Sequence, residues 1–442
     1  MTCDGTTTTA TLCDIKSAVT TTIATSTVQT GGSDITIEGT GAINVTTSTA
    51  PALKIDSDNN VINYGTISNK NTASAIGVEL IAGHGSATTT VATYNGALFE
   101  GTTSSAVSID LTGTGTGKTG LLLAPLTTLG TGTIDATATT PADITAGIAP
   151  GVLVGSMNVV GDNSYGVHLL SGVTLEGPLS IDGAVNVKSS TTTAGTSTGV
   201  IGVEVDGNII GNLSIAPVSL IGGSVSVTGA GAEGVVVLGS IDGSIYNGGV
   251  IGTSGSSTTP TTTTGNPQGG TAFLLANGVT HGFYNAGPVS STDTTASGQI
   301  VTHGTGPALL ISSTAGTLAG PLNIGLYANP DGTSPADAGY DFYNRGQIAA
   351  QPANVDNSVV GMEVVGAAGQ QVVFQSGTLN SVSYLGGILN SGSISGATST
   401  DTNATTGVAA TGLLIGNYVT VPVLNNTSEV GAGHGSISAS VT

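Results

Sequence analysis

Basic residues are almost missing from this chain. Six Lys and Arg stand against 26 Asp and Glu in 442 residues, for a formal net charge of −20. Binding to a phosphate backbone needs clustered cations, and Lys16, Lys54, Lys70, Lys118, Lys188 and Arg345 are scattered. Nucleic acid is therefore excluded as a partner. Charged residues of either sign are only 7%, aromatics 3%, and Trp is absent. Bulky side chains for a wide globular core are lacking, so thin layers of small β-branched residues are expected instead. Amphipathic helical spacing is not found over any long window. No run of about 18 apolar residues occurs, so nothing crosses a membrane as a helix. "MTCDG" (1–5) has neither the charged nor the apolar region of a signal peptide; if the protein is exported, Met1 stands in place of a removed signal.

Cysteine is scarce too, with only Cys3 and Cys13. The pair lacks C-x2-C metal spacing, and "CDGTTTTATLC" (3–13) offers no His. Two readings stand: free thiols in a flexible end, or a small disulfide loop tying down the N-terminus of an exported protein.

What is abundant is Gly, at 70 residues, together with Ser and Thr. Such a composition can mean a linker, but 38% of residues are hydrophobic and fall in short alternating stretches. "SDITIEGTGAINV" (33–45), "GPLSIDGAVNVKS" (177–189) and "GGSVSVTG" (222–229) read as strands bounded by Gly, Asn or Asp. A chain of this length exceeds one compact core, so several domains or an elongated repeat are expected.

Two phrases recur. "FYNAGPV" (283–289) returns as "FYNRGQI" (342–348), with echoes "VINYGTI" (61–67), "IYNGGVI" (245–251) and "GILNSGSI" (387–394). Alternating with them are "IGVEL" (76–80), "YGVHLL" (165–170), "IGVEV" (201–205), "EGVVVL" (233–238) and "VGMEVV" (360–365). Variable Thr, Ser, Gly and Pro tracts such as 253–270 separate the copies. This is the signature of a β-solenoid with unequal insertions at its corners. A set of hairpin turns in a sandwich is the competing reading, since Asn-Gly also marks hairpins. In the solenoid, Asn63, Gly65, Asn247, Gly249, Asn285, Gly287, Asn344, Gly346, Asn390 and Gly392 are corners. Asn would tolerate a left-handed backbone and hydrogen-bond along a stack of equivalent Asn residues, and Gly would take positive φ.

Phrases such as "VINYGTIS" and "ILNSGSISG", followed by G-V-x-L, resemble autotransporter-type (type V secretion) passenger domains and related large exported β-helical adhesins of Gram-negative bacteria. The opening Cys pair with its Thr-rich segment is similar to the mature start of such passengers. The resemblance covers about 33–441 and implies a right-handed parallel β-helix, an extracellular or cell-surface location, and export through an outer-membrane β-barrel translocator. The family's C-terminal barrel is missing, for "HGSISASVT" (434–442) closes without long amphipathic strands. The expected organisation is an N-terminal cap at 1–32 with a Cys3–Cys13 loop and a β-helical repeat at 33–442. Coils of about 22 residues would give about 20 rungs at roughly 4.8 Å, a single rod on the order of 100 Å long.

Catalytic signatures are weak. "GTSTG" (195–199) fits G-x-S-x-G, but the strand-turn-helix context of a nucleophilic Ser197 is missing. "GTGTGKTG" (113–120) departs from a phosphate loop at Thr112, and Lys118 reads as a solvated charge. Acid-polymer lyases need several cations, and Arg345 is the only Arg. A hydrolase of neutral glycans would need two carboxylates and an aromatic platform, for which Tyr340 and Tyr343 lie near the right group. Calcium is a minor expectation: "DSDNN" (56–60) and "NPDGTSPADAGYD" (329–341) gather oxygen ligands, with Asp56, Asp58, Asp331, Asp337 and Asp341 as weak candidates. No other cofactor is expected. His84, His168, His281, His303 and His434 show no paired spacing.

The expected function is that of a non-enzymatic surface passenger, an adhesin or structural fibre. Its partners would be a surface glycan or protein receptor, or other rods by self-association. The alternatives are a carbohydrate-active β-helix enzyme and a self-assembling extracellular filament or surface-layer subunit.

Overall fold

The computed structural model describes residues 2–3, 12–28, 34–46, 48–57, 59, 61–82, 91–93, 97–99, 109–125, 132–136, 151–191, 198–215, 223–255, 268–286, 298–328, 338–400, 408–427 and 435–441. They are almost wholly short strands, joined by turns, with one 3-10 turn at Thr25–Thr27. The chain divides into two compact units. Unit 1 comprises Met1–Ser190, Gly202–Gly211 and Ser219–Gly223; unit 2 comprises Thr191–Ile201, Asn212–Val218 and Ser224–Thr442.

Both units are parallel β-helices. In unit 1 the first sheet stacks Leu12–Ile15, Asp34–Ile37, Val61–Asn63, Ala97–Phe99, Val152–Val154 and Leu179–Ile181, each parallel to the last. A second sheet runs from Ala18–Val19 to Ala184–Lys188, and a third from Ile23–Ala24 to Ile201–Val205. The chain visits the three in turn once per coil. Unit 2 repeats the plan, its first sheet stacking Leu213–Ile215, Ile245–Asn247, Phe283–Asn285, Phe342–Asn344, Ile388–Asn390 and Leu424–Asn426.

Alternation explains why these sequences stay in register. Strands such as Asp34–Ile37 and Leu179–Ile181 bury every second residue, and a slip of one residue would turn the aliphatic set outward. Ile35, Ile37, Leu179 and Ile181 are at most 1% exposed, each stabilising the stack by roughly 1.5–3 kcal/mol. The first copies lie inside the expected N-terminal cap, for Leu12–Ile15 already pairs in parallel with Asp34–Ile37. Before it, Thr2–Cys3 pairs antiparallel with the same strand and sets Cys3 opposite Cys13. Cys13 is fully buried.

The coil count differs from the expectation. Leu12 pairs with Asp34, 22 residues on, as expected, but Ala97 pairs with Val152 and Asn285 meets Asn344 after 59 residues. Among the described residues each first sheet holds six parallel strands, so the coils number far fewer than 20. The strands stay short while the connections lengthen, because a loop costs only about 0.6 kcal/mol of closure entropy per doubling.

The corners also work differently from their expected chemistry. None of Asn63, Gly65, Asn247, Gly249, Asn285, Asn344, Gly346, Asn390 and Gly392 adopts positive φ; Gly287 lies outside the described residues. The five Asn are the last residues of their strands, and all five are fully buried. The Gly is needed for space. A Cβ on Gly346 would overlap the carbonyl oxygen of Gly298 in the coil beneath, and one on Gly41 would overlap that of Ile15.

Candidate functional site

In unit 2 the corner asparagines form a ladder. Asn247 Nδ2 donates to Asn285 Oδ1 at 2.8 Å, Asn285 to Asn344 at 2.8 Å, Asn344 to Asn390 at 2.7 Å, and Asn390 to Asn426 at 2.7 Å. The second amide hydrogen of each reaches a carbonyl of the next coil, at Gln299, Gln347, Ser393 and Ser436. Asn247 Oδ1 also accepts from the Gly249 N–H, as Asn63 Oδ1 does from Gly65 in unit 1. Buried amides are thus satisfied on both sides, which makes the ladder structural. The sequence reading missed Asn426, because no Gly follows it within two residues.

The outward face of the same strands carries tyrosines. Tyr246, Tyr284 and Tyr343 occupy one register column, with ring centroids 5.7 Å apart at each step. Tyr327 stacks on Tyr284 at 5.0 Å, Tyr340 meets Tyr343 edge-on, and the Arg345 guanidinium lies 5.5 Å over Tyr284. Tyr343 and Tyr327 are fully buried, so Tyr343 cannot present an open ring face to a sugar. Tyr340 stays partly exposed, its hydroxyl accepting from Asn425 Nδ2 at 2.9 Å. Burial, aided by Tyr284, pushes the Tyr246 phenol up to about 12 and keeps it neutral.

The carboxylates of the calcium expectation are otherwise engaged or lie outside the described residues, as Asp58, Asp331 and Asp337 do. Asp56 accepts from Ser26 N–H at 3.1 Å and pairs with Lys54 at 3.7 Å. Asp341 is fully buried and accepts from Gly387 N–H at 2.6 Å. Burial outweighs its backbone hydrogen bonds and pushes the Asp341 carboxyl up to about 8. A neutral acid at neutral pH is a poor ligand for a hard cation.

Lys118 corrects another expectation. It is fully buried rather than solvated, and its Nζ donates to the carbonyls of Leu111 at 3.0 Å and Gly113 at 2.9 Å. The Gly-rich run 112–118 folds back on its own lysine, which ties down the corner instead of cradling a phosphate. Burial pushes Lys118 below the usual ammonium range, against the pull of Asp110. Ser197 lies outside the described residues.

The cluster of convergent chemistry is in unit 1 and was not anticipated. Tyr165–Leu169 and Ile201–Val205 are neighbours in the third sheet. Each buries the residues at its second and third positions, Gly166-Val167 and Gly202-Val203. Two successive inward residues put Tyr165 and His168 on the same outward face, where their rings stack at 4.5 Å. His168 Nε2 lies 3.2 Å from Glu204 Oε2 and 3.0 Å from Asp206 Oδ2. Asp206 sits at the corner after its strand, held by hydrogen bonds from its own N–H and that of Gly207 to Leu169 O. Donor atoms of the three side chains all lie within 4.8 Å of one another. His168 and Glu204 are each 12% exposed, so the cluster is sheltered yet reachable. The signal was present in the repeats: "YGVHL" and "IGVEV" superpose His168 on Glu204. Spacing along the chain hid it. His84 and His434 lie outside the described residues, and the His303 imidazole is shifted down by burial.

Comparison with known proteins returns no match, whether to a protein-family model, a curated protein or a solved structure.

Proposed function

We propose that this chain is a non-enzymatic passenger of the bacterial cell surface, exported through an outer-membrane barrel and acting as an adhesin or structural element. The observation that carries this reading is the contrast between constant strands and variable insertions. First-sheet strands keep the same in-register partners while the distance between them runs from 22 to 59 residues. A scaffold of this kind holds its sheets and lets long segments such as 253–270 and 329–341 vary the contact surface. Coil-by-coil folding supports the export route, because each coil hydrogen-bonds to its neighbours and can add to a stack already outside the cell. A Cys3–Cys13 disulfide belongs to the same reading. The antiparallel register sets the two residues face to face, within the Cα separation a disulfide takes.

The test is retention of protein-coated beads on glycan arrays and on cell monolayers, with heat-unfolded protein as the control. Saturable retention that falls when 256–267 or 329–337 is replaced by a short Gly-Ser linker supports the adhesive role. Retention equal to that of the unfolded control, or hydrolysis of the arrayed glycans, overturns it.

A further inference from the structure

We propose that His168, Glu204 and Asp206 bind a divalent cation of the zinc class and so clamp two successive coils of unit 1. The inference is independent of the surface role, since it rests only on the geometry of the three side chains.

The donor set and its dimensions carry the argument. One imidazole nitrogen faces two carboxylate oxygens at 3.2 and 3.0 Å. Ligand bonds of about 2.0–2.2 Å place neighbouring donors of one tetrahedral ion roughly 3.3–3.6 Å apart, so small side-chain rotations suffice to seat an ion. Mixed nitrogen and carboxylate ligation suits zinc and its neighbours, whereas calcium takes oxygen ligands only. Positioning is already in place. The Tyr165 ring stacked at 4.5 Å fixes the imidazole plane, and the backbone bond from Asp206 N–H to Leu169 O, at 2.9 Å, fixes the corner acid. His168 comes from one coil and both carboxylates from the next, so a shared ion would strengthen a side-chain link that already joins the two strands. On the other side of His168 the register neighbour is Leu122, which offers no competing ligand.

The experiment is calorimetric titration of the untagged, chelator-stripped full chain with ZnCl2, at neutral pH and in physiological salt to screen diffuse binding to the acidic surface. One Zn²⁺ per chain is expected, unaffected by excess Ca²⁺. His168→Gln removes it, and Glu204→Gln or Asp206→Asn weakens it by at least about tenfold, a loss seen even for groups that only support a ligand. X-ray absorption of the loaded protein should show a nitrogen scatterer at the imidazole distance. Circular dichroism checks that each variant is folded; if His168→Gln is not, the two carboxamide variants decide. No saturable zinc, zinc displaced by Ca²⁺, or zinc bound equally by the folded variants overturns the proposal.

Discussion

Units 1 and 2 fill the same column of the first sheet with different chemistry. At the last position of successive strands, unit 1 places Ile15, Ile37, Asn63, Phe99, Val154 and Ile181. Unit 2 places Ile215 and then Asn247, Asn285, Asn344, Asn390 and Asn426. Parallel stacking accommodates both, because identical positions repeat at the strand spacing of about 4.8 Å. Aliphatic residues tolerate a neighbour of nearly any apolar shape, so the unit 1 column varies. An amide in the same place needs polar partners: in unit 1 Asn63 Oδ1 accepts from the Gly65 N–H of its own corner, whereas the unit 2 amides are joined to one another from coil to coil.

Unfolding by urea with hydrogen exchange, to locate the effect in one unit or the other, tests this comparison. The largest effect should be common to both units. Gly346→Ala and Gly41→Ala each force a Cβ into a neighbouring carbonyl, and each should cost roughly 3 kcal/mol or more. The next separates them. Asn344→Ala leaves Asn285 Nδ2 and Asn390 Oδ1 without their partner and should cost roughly 2–4 kcal/mol, seen in unit 2 alone. Asn426→Ala, at the exposed end of the ladder, should cost under about 1 kcal/mol. Equal costs for the two would break the ladder argument. In unit 1, Val154→Asn puts an amide beside Ile181 and should be as damaging as Asn344→Ala. Lys118→Met, which frees the Leu111 and Gly113 carbonyls but also removes a buried charge, should cost about 1–2 kcal/mol.

A further effect is one of pH. Asp341 holds its proton to about 8 in the folded chain, against 3.8 for the ordinary carboxyl. The folded state therefore binds more protons than the unfolded one between those values, and the Asp341 contribution to stability falls as pH rises through that window. Asp341→Asn keeps an acceptor for Gly387 and should remove this decline, so that the urea midpoints of wild type and variant diverge most near and above pH 8. Parallel curves would show that the acid does not titrate there.

Much of the fold could be read from the repeated phrases. "FYN" at 283 and at 342 sits in strict register, as do "IYN" and "ILN". What resisted reading has physical reasons. Coil number depends on insertion length, and closure entropy constrains length too weakly for the sequence to announce it. The Gly requirement comes from a carbonyl in another coil, not from the dihedral of the residue itself. Lys118 was legible as a charge, but the two carbonyls that hold it are made available only by the folded corner. His168 and Glu204 are 36 positions apart, and only superposing two copies of a phrase brings them together.

The asparagine ladder has a direction. Every Nδ2 donates toward the C-terminal neighbour, from Asn247 through to Asn426, and no step runs the other way. Five carboxamide dipoles thus add head to tail, and each polarises the next. Turning one amide over would set oxygen against oxygen on one side and hydrogen against hydrogen on the other. The column therefore behaves as a single polar wire, whose amides share one orientation.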